Sequence, residues 1–296
     1  MNFDKEKVAY MSDKIFPDKP NYLKEIFKVE CAVIGMVHLR PLPGAPHFRG
    51  GNLDELYDWA IRDVAALEEG GVDGVIIENA WDLPFSKPED IGFETVAAMT
   101  SVANRLKSQT DLPIGVNCLA NGAIQALAVA KAADLPFVRV NQWVNAYIAN
   151  EGFVEGASAR AARYRAHIKG ENIRMFVDVH VKHGSHSIIA DRSLADQTHD
   201  AVFFDADVLI ATGTRTGNET EISEVEGIKN YTNLPVIVGS GMNVNNAEKI
   251  LSVADGCIIG SSLKEGGKWW NPVSKQEVVK FMNEVQKVRE RGNRFD

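Results

Sequence analysis

Residues 236–267 read VIVGSGMNVNNAEKILSVADGCIIGSSLKEGG and contain two apolar runs of the same design. Each run is rich in valine or isoleucine and ends in a cluster of glycine and serine, and a more polar segment separates the two. Strands that are apolar on both faces are typical of parallel sheets, which helices cover on both sides. The stretch therefore predicts a strand–helix–strand unit of a parallel α/β fold.

The same alternation continues through most of the chain. Apolar runs predict strands at Ala32–Leu39, Gly74–Asn79, Ile114–Leu119, Phe137–Asn141, Met175–Val181, Asp207–Gly213, Pro235–Gly241 and Gly256–Ser262. Amphipathic segments predict helices at Asp54–Glu69, Glu94–Ser108, Ala123–Ala133, Ala157–Lys169, Leu194–Phe203, Ser223–Asn230, Val244–Val253 and Lys275–Arg289. Eight such units favour a single-domain α/β fold, a (β/α)8 barrel over residues 22–296, with residues 1–21 as an N-terminal extension.

The alternative architecture is a doubly wound open sheet. That fold would place a glycine-rich turn directly after the first strand, but residues 38–51 read HLRPLPGAPHFRGG. So many prolines do not suit such a turn, and the barrel is favoured. In a barrel, the long loops that follow the strands lie on the face that carries active sites.

Composition excludes several classes of protein. The 296-residue chain has a formal net charge of −8, which argues against a nucleic-acid or membrane-surface binder because these carry a basic face. No apolar run approaches the roughly 18 residues of a membrane span. The charged N-terminus lacks a signal-peptide core, so a cytoplasmic location is predicted. The three cysteines, Cys31, Cys118 and Cys257, lie in apolar runs without metal-binding spacing, as buried thiols do.

The two glycine and serine clusters predict a phosphate site. Barrels commonly bind phosphate between the loops that follow strands 7 and 8, where glycine lets backbone N–H groups approach an anion closely. The segment SLKEGG after the last strand could form the short extra helix of such sites. The end of the sixth strand could join them. The predicted phosphate-binding residues are Gly213, Thr214, Gly239, Ser240, Gly241, Gly260, Ser261 and Ser262.

Polar residues at the ends of other strands predict a catalytic site. In residues 175–184, MFVDVHVKHG, alternate positions hold Asp178, His180 and Lys182. Alternate strand residues point into a barrel, so these three are expected to line its mouth. A buried aspartate needs a compensating partner, and Arg139 on the preceding strand is the expected one.

Further polar residues end the first three strands, where this fold carries catalytic groups. A carboxylate near a histidine suits general acid–base catalysis. The predicted catalytic residues are Asp178, His180, His38, Glu78 and Lys182. The predicted substrate-binding residues are Asn117, Arg139 and Asn141. Two alternatives stay open: a divalent metal on His38, Asp178 and His180, and a Schiff base on Lys182.

Six motifs resemble the BtpA/SgcQ family, and the resemblance covers Tyr22 to Arg289. They are IGMVHLRPLPGAP (34–46), GVDGVIIEN (71–79), GVNCLAN (115–121), FVRVN (137–141), DVHVKH (178–183) and VGSGMNVNNA (238–247). The resemblance implies a TIM barrel akin to the ribulose-phosphate-binding barrels. It also implies a family connection with photosystem I assembly and with sugar metabolism.

Residues and resemblance together predict a cytoplasmic enzyme that acts on a small phosphorylated metabolite, such as a sugar phosphate or a phosphoribosyl compound. An isomerase, a lyase and a glycosidic-bond-cleaving enzyme are all compatible with acid–base groups at a barrel mouth. The alternatives are a non-catalytic assembly factor and a metal-dependent hydrolase. No nucleic-acid partner, no membrane insertion and no firmly implied cofactor are expected, and a homo-oligomer is possible.

Overall fold

The computed structural model describes residues 18–213 and 222–292, and within these ranges eight parallel strands close into a barrel. The strands are β1 (Ala32–His38), β2 (Gly74–Glu78), β3 (Ile114–Asn117), β4 (Phe137–Val140), β7 (Arg174–Asp178), β8 (Val208–Ala211), β9 (Val236–Val238) and β10 (Gly256–Ile259). They follow one another around the barrel in that order, and β10 pairs with β1. The predicted (β/α)8 fold is confirmed, and the closed sheet excludes the open alternative.

Helices lie between the strands and cover the outside of the barrel. They are α1 (Tyr22–Phe27), α2 (Asp54–Gly70), α3 (Phe93–Lys107), α4 (Ala123–Ala133), α5 (Ser158–His167), α6 (Leu194–Phe203), α7 (Ile222–Lys229), α8 (Ala247–Leu251) and α9 (Lys275–Gly292). The protein has two hydrophobic cores, and alternate residues of β1 belong to different ones. Val33 and Val37 pack in the outer core beneath the helices, while Ile34 and Met36 pack in the barrel interior. The apolar runs are continuous because both faces of each strand are buried.

A short helix closes the lower end of the barrel, where the strands begin. Leu23 and Phe27 of α1 join the interior cluster, and the ring of Phe27 lies 5.6 Å from that of Phe137, centroid to centroid. A Cβ on Gly74 would lie 2.4 Å from the Phe27 ring, so only glycine lets the helix approach this closely. Lys19, just before α1, forms an ion pair with Asp207. The division between an extension and a barrel domain at residue 22 stays a prediction.

Two further strands form a hairpin that the sequence analysis missed. Strands β5 (Ala146–Ala149) and β6 (Gly152–Glu155) pair antiparallel in the stretch after β4 that was expected to be a loop. Residues 146–149 read AYIA and lack the alternation of apolar and polar residues that indicates a half-buried strand. Ile148 also exchanges two backbone hydrogen bonds with Ser185, of 3.0 and 2.8 Å. The hairpin is thereby joined to the loop that follows β7.

Two expectations around the glycine clusters need correction. The helix predicted from Val244 begins only at Ala247, because Asn243 and Asn246 form a hydrogen-bonded turn in which the Asn246 Oδ1 accepts from the Asn243 N–H. Such local side-chain bonds compete with helix formation. The segment SLKEGG forms two 3₁₀ turns, Ser261–Leu263 and Glu265–Gly267, rather than one helix.

Candidate active site

Four polar residues form a continuous row across the mouth of the barrel. His38, Glu78, Asn117 and Arg139 end or nearly end β1 to β4, and each is the direct register partner of the next. All four are buried. Asn117 Nδ2 donates a 2.7 Å hydrogen bond to Glu78 Oε2, which links two members of the row directly. Polar groups are costly to bury on four adjacent strands, so a functional reason for the row is expected.

The row continues through an ion pair onto β7. Arg139 donates from Nε to Asp178 Oδ1 and from Nη2 to Asp178 Oδ2, both at 3.0 Å. Asn141 Nδ2 donates to Asp178 Oδ2 at 3.2 Å. The predicted pairing of Arg139 with Asp178 is present, and its two-pronged geometry fixes both side chains. Substrate-binding and catalytic roles for these residues stay predictions.

His38 is held as a neutral ring. Its Nδ1 lies 2.9 Å from the carbonyl oxygen of Trp269, which can only accept, so we assign the proton to Nδ1. Burial, with the nearby ammonium group of Lys264, lowers the pKa of His38 to about 3. Nε2 therefore carries a free lone pair, and it lies 3.8 Å from Glu78 Oε1, beyond hydrogen-bonding distance. Burial also raises the pKa of Glu78.

His38 should make stability fall as the pH falls. Below its ordinary pKa of 6.5 the unfolded chain binds a proton that the folded ring binds only near pH 3. In that window this one group should lower the free energy of unfolding by about 1.4 kcal/mol per pH unit. We expect the stability difference between the wild type and His38→Gln to shrink from pH 7 to pH 4.5 in urea titrations. A difference that stays constant would contradict the depressed pKa, and exposed His47→Gln is the control.

Lys182 connects the row to the first glycine cluster. Its Nζ donates to the carbonyl oxygen of Gly239 at 3.3 Å. Burial, with the charge of Arg139, lowers its pKa to about 8, while Asp178 and Glu78 oppose the shift. The amine thus lies among the charged groups of the mouth and beside the cluster that is predicted to bind phosphate.

His180 lies in the loop that follows β7 and contacts residues outside the row. Its Nδ1 is 3.0 Å from Gln197 Oε1 of α6, and its ring lies 3.7 Å from that of His186, centroid to centroid. Tyr147 of the hairpin also stacks on the ring of His186, at 5.3 Å between ring centroids. The structure therefore places His180 with His186 and Gln197, and not in the row that starts at His38.

The two glycine clusters lie next to each other. Ser262 Oγ donates to the carbonyl oxygen of Met242, which follows the first cluster, at 2.5 Å. Gly241 adopts a φ of 74°, a conformation that favours glycine. A Cβ on Gly260 would lie 3.4 Å from Cε1 of His38, so the second cluster approaches the row. Ser240 is buried and Ser261 begins a 3₁₀ turn, whereas Thr214 lies outside the described residues.

Sequence reasoning missed a buried ion pair behind the second cluster. Lys264 is 1% exposed, and its Nζ lies 2.8 Å from Asp63 Oδ2 on α2. Asp63 Oδ1 also accepts a 3.0 Å bond from the N–H of Val273. The signal was present in the sequence, since Asp63 occupies a core-facing position of α2 between Ala60 and Leu67. The pair holds the loop that brings Trp269 to His38.

A second missed residue is Glu224, near the start of α7. Burial raises the pKa of its carboxyl, and backbone hydrogen bonds from Thr212 and Gly213 oppose this effect. Its Oε1 is buried, and no hydrogen-bond partner for it lies within residues 18–213 and 222–292. Gly213, predicted to bind phosphate, therefore lies beside an acidic group. Because that group disfavours an anion, Gly213 is the least favourable of the described phosphate candidates.

In residues 18–213 and 222–292, no three His, Cys, Asp or Glu side chains are arranged to hold a metal ion. None of the helices in this part of the chain has the length and hydrophobicity required to span a bilayer.

Fold and site define a (β/α)8 barrel with a polar, charged cluster at the carboxyl ends of its strands, the position of active sites in this fold. The chain matches the BtpA family over residues 29–287 and belongs to that family.

Two proteins are similar to this chain in sequence, and a third is similar in structure. An uncharacterised protein of Pyrococcus horikoshii is 40% identical over 258 residues, which cover 87% of this chain and 97% of the relative. The photosystem I biogenesis protein BtpA of a Synechocystis species is 34% identical over 247 residues, 83% of this chain and 84% of the relative. The structure of (S)-3-O-geranylgeranylglyceryl phosphate synthase from Thermoplasma acidophilum, in complex with sn-glycerol-1-phosphate, is similar with a TM-score of 0.56. It is 15% identical and covers 90% of this chain and 98% of the synthase, so it shows the fold alone.

Proposed function

We propose that this protein is an enzyme that acts on a small phosphorylated metabolite, a sugar phosphate or a phosphoribosyl compound, by acid–base catalysis. The observation that carries the proposal is the buried row from His38 to Arg139, which Lys182 connects to the adjacent glycine clusters. The similar barrel from Thermoplasma acidophilum binds a phosphate ester, sn-glycerol-1-phosphate.

The proposed phosphate position lies between the two glycine clusters and Lys182. Backbone N–H groups at Ser240, Gly241 and Gly260–Ser262 would bind the phosphate oxygens, whereas the N–H of Gly239 already donates to the carbonyl oxygen of Ala211 at 2.7 Å. The ammonium group of Lys182 would supply a positive charge from the side of the row. This arrangement leaves the rest of the substrate facing His38, Glu78 and Asn141.

His38 and Glu78 are the proposed proton-transfer pair. A neutral His38 ring offers Nε2 as a base, while the raised pKa of Glu78 lets this carboxyl keep a proton to higher pH than an exposed one. Two titratable groups whose environments shift their pKa values in opposite directions suit base and acid roles. Isomerisation, epimerisation, aldol cleavage and glycosidic-bond cleavage each need such a pair.

The other predicted catalytic residues take supporting roles in this proposal. Asp178 is occupied by Arg139 and Asn141, so it positions the row. His180, with His186 above it, contributes from the covering loop. Asn117 orients the Glu78 carboxylate through its direct hydrogen bond.

Replacing Gly241 with aspartate should abolish phosphate binding. The matched control is Gly241→Asn, because both side chains are similar in size and both tolerate the positive φ of this position. The pair therefore differs in charge alone. At 100 times its Kd, inorganic phosphate or a phosphate ester should stabilise the wild type by about 2.7 kcal/mol and thereby raise its Tm. Gly241→Asp should lose this shift and Gly241→Asn should retain most of it. Equal shifts in both variants would place the anion elsewhere.

A scaffold function is the second candidate. The Synechocystis relative is named for photosystem I biogenesis, and Phe93, at the start of α3, is 93% exposed. An exposed phenylalanine suits a protein contact better than a catalytic role. The scaffold would tolerate Gly241→Asp and lose partner binding with Phe93→Ser. A cytoplasmic location and a homo-oligomeric state stay predictions in both cases.

A further inference from the structure

Asn141 holds an unused hydrogen-bond acceptor in the barrel mouth. The residue is 9% exposed, and its Nδ2 donates to Asp178. Its Oδ1 is buried and has no hydrogen-bond partner among the residues that the structure describes. Leaving a buried acceptor unpaired costs about 1–3 kcal/mol. Such groups are rare in folded proteins and call for an explanation.

The orientation of the Asn141 amide is fixed by its neighbours. Both carboxylate oxygens of Asp178 already accept from Arg139. Rotating the amide by half a turn would bring Oδ1 against the carboxylate, oxygen to oxygen, and would lose the 3.2 Å bond from Nδ2. The amide therefore keeps Oδ1, and not Nδ2, as its unpaired atom.

One more acceptor lies nearby in the mouth. Nε2 of the neutral His38 ring carries a lone pair, and Glu78 Oε1, at 3.8 Å, is too far away to form a hydrogen bond with it. Asn117 donates to Glu78, and two of the five N–H groups of Arg139 donate to Asp178. The inner part of the mouth thus offers the acceptors of Asn141 and His38, while Lys182 offers a cation at the glycine clusters.

We infer that the substrate carries several hydroxyl groups at the end opposite its phosphate, and that one of them donates to Oδ1 of Asn141. Each hydroxyl can donate one hydrogen bond to an acceptor of the row. A prenyl chain or an aromatic ring without donors would leave these buried acceptors unpaired. Sites built to hydrogen-bond a substrate hydroxyl reject analogues that lack it by large factors. This inference rests on the proposed function for the position of the phosphate.

The test compares hydroxylated and plain phosphate esters by calorimetry. The probes are sn-glycerol-1-phosphate, ribose 5-phosphate and fructose 6-phosphate, with methyl phosphate as the ester that lacks hydroxyls and ribitol as the polyol that lacks phosphate. The wild type should bind at least one sugar or polyol phosphate roughly tenfold or more tighter than methyl phosphate, the equivalent of one net hydrogen bond. Asn141→Leu should remove this difference and leave methyl phosphate binding unchanged.

Binding of methyl phosphate by the variant also reports that it is folded. If Asn141→Leu does not fold, Asn141→Gln keeps the amide but displaces its oxygen, and it should show the same selective loss. Equal affinity of the wild type for all esters, or an equal loss of all esters in the variant, would overturn the hydroxyl inference and leave the phosphate proposal intact. Binding of ribitol without any phosphate ester would overturn the proposed function and keep the inference. No binding of any probe would overturn both.

Discussion

Replacing Asp178 with asparagine should lower the free energy of unfolding by about 3–5 kcal/mol, as loss of one partner of a buried ion pair does. The variant would leave the guanidinium of Arg139, which is 5% exposed, without its carboxylate. The new amide would also turn an N–H group toward donors on Arg139 and Asn141. Urea denaturation of wild type and variant measures the loss.

Two comparisons separate this effect from a general loss of charge. Glu69→Gln removes the partner of exposed Lys275 and should cost no more than about 1 kcal/mol. The double variant Arg139→Met with Asp178→Leu should be more stable than Asp178→Asn, because no charge is left unpaired. A double variant that is less stable than Asp178→Asn would show that the ion pair contributes net stability to the barrel, beyond cancelling the charges of its two members.

Replacing Asp63 with asparagine should cost a similar amount, about 3–5 kcal/mol, because Lys264 would keep a buried ammonium group without a carboxylate. Burial already lowers the pKa of Lys264, and Asp63 is the main group that opposes this. The substitution also weakens the bond from the Val273 N–H. The loop that carries Trp269 should therefore loosen together with the loss of stability.

Tryptophan fluorescence reports the environment of Trp269 on this loop, separately from global unfolding. Trp269 contacts Trp81 at 5.4 Å and Trp270 at 5.7 Å between ring centroids. Asp63→Asn should shift the emission of the folded protein to longer wavelength, whereas Asp58→Asn, exposed on the same helix, should change neither emission nor stability. A destabilised variant with unchanged emission would show that the ion pair does not position this loop.

The barrel could be predicted because each of its units repeats a local pattern. The strands of the barrel are largely apolar runs, interrupted in β4 by Arg139, and register then brings successive strand ends together. The pairing of Arg139 with Asp178 was predictable as well, because a buried aspartate needs a compensating charge and Arg139 lies on the neighbouring strand. The family resemblance led to the same fold, and the match over residues 29–287 confirms it.

Features that depend on distant contacts were not predictable in this way. Lys264 and Asp63 are about 200 positions apart in sequence, and only the folded chain brings them together. The tautomer of His38 depends on a carbonyl from Trp269, on a loop without regular pattern. His180 shares its parity with Asp178, yet the strand ends at Asp178, so the alternation that predicted a common direction no longer applies.

The helix at the lower end of the barrel has a consequence for the proposed enzyme. In the part of the chain that the structure describes, Leu23 and Phe27 pack on Phe137 and Phe176 and fill that end, so a ligand would reach the row through the mouth. The product of the proposed reaction would then leave by the route along which the next substrate arrives. Product and substrate would exclude each other, and the expected steady-state pattern is competitive product inhibition.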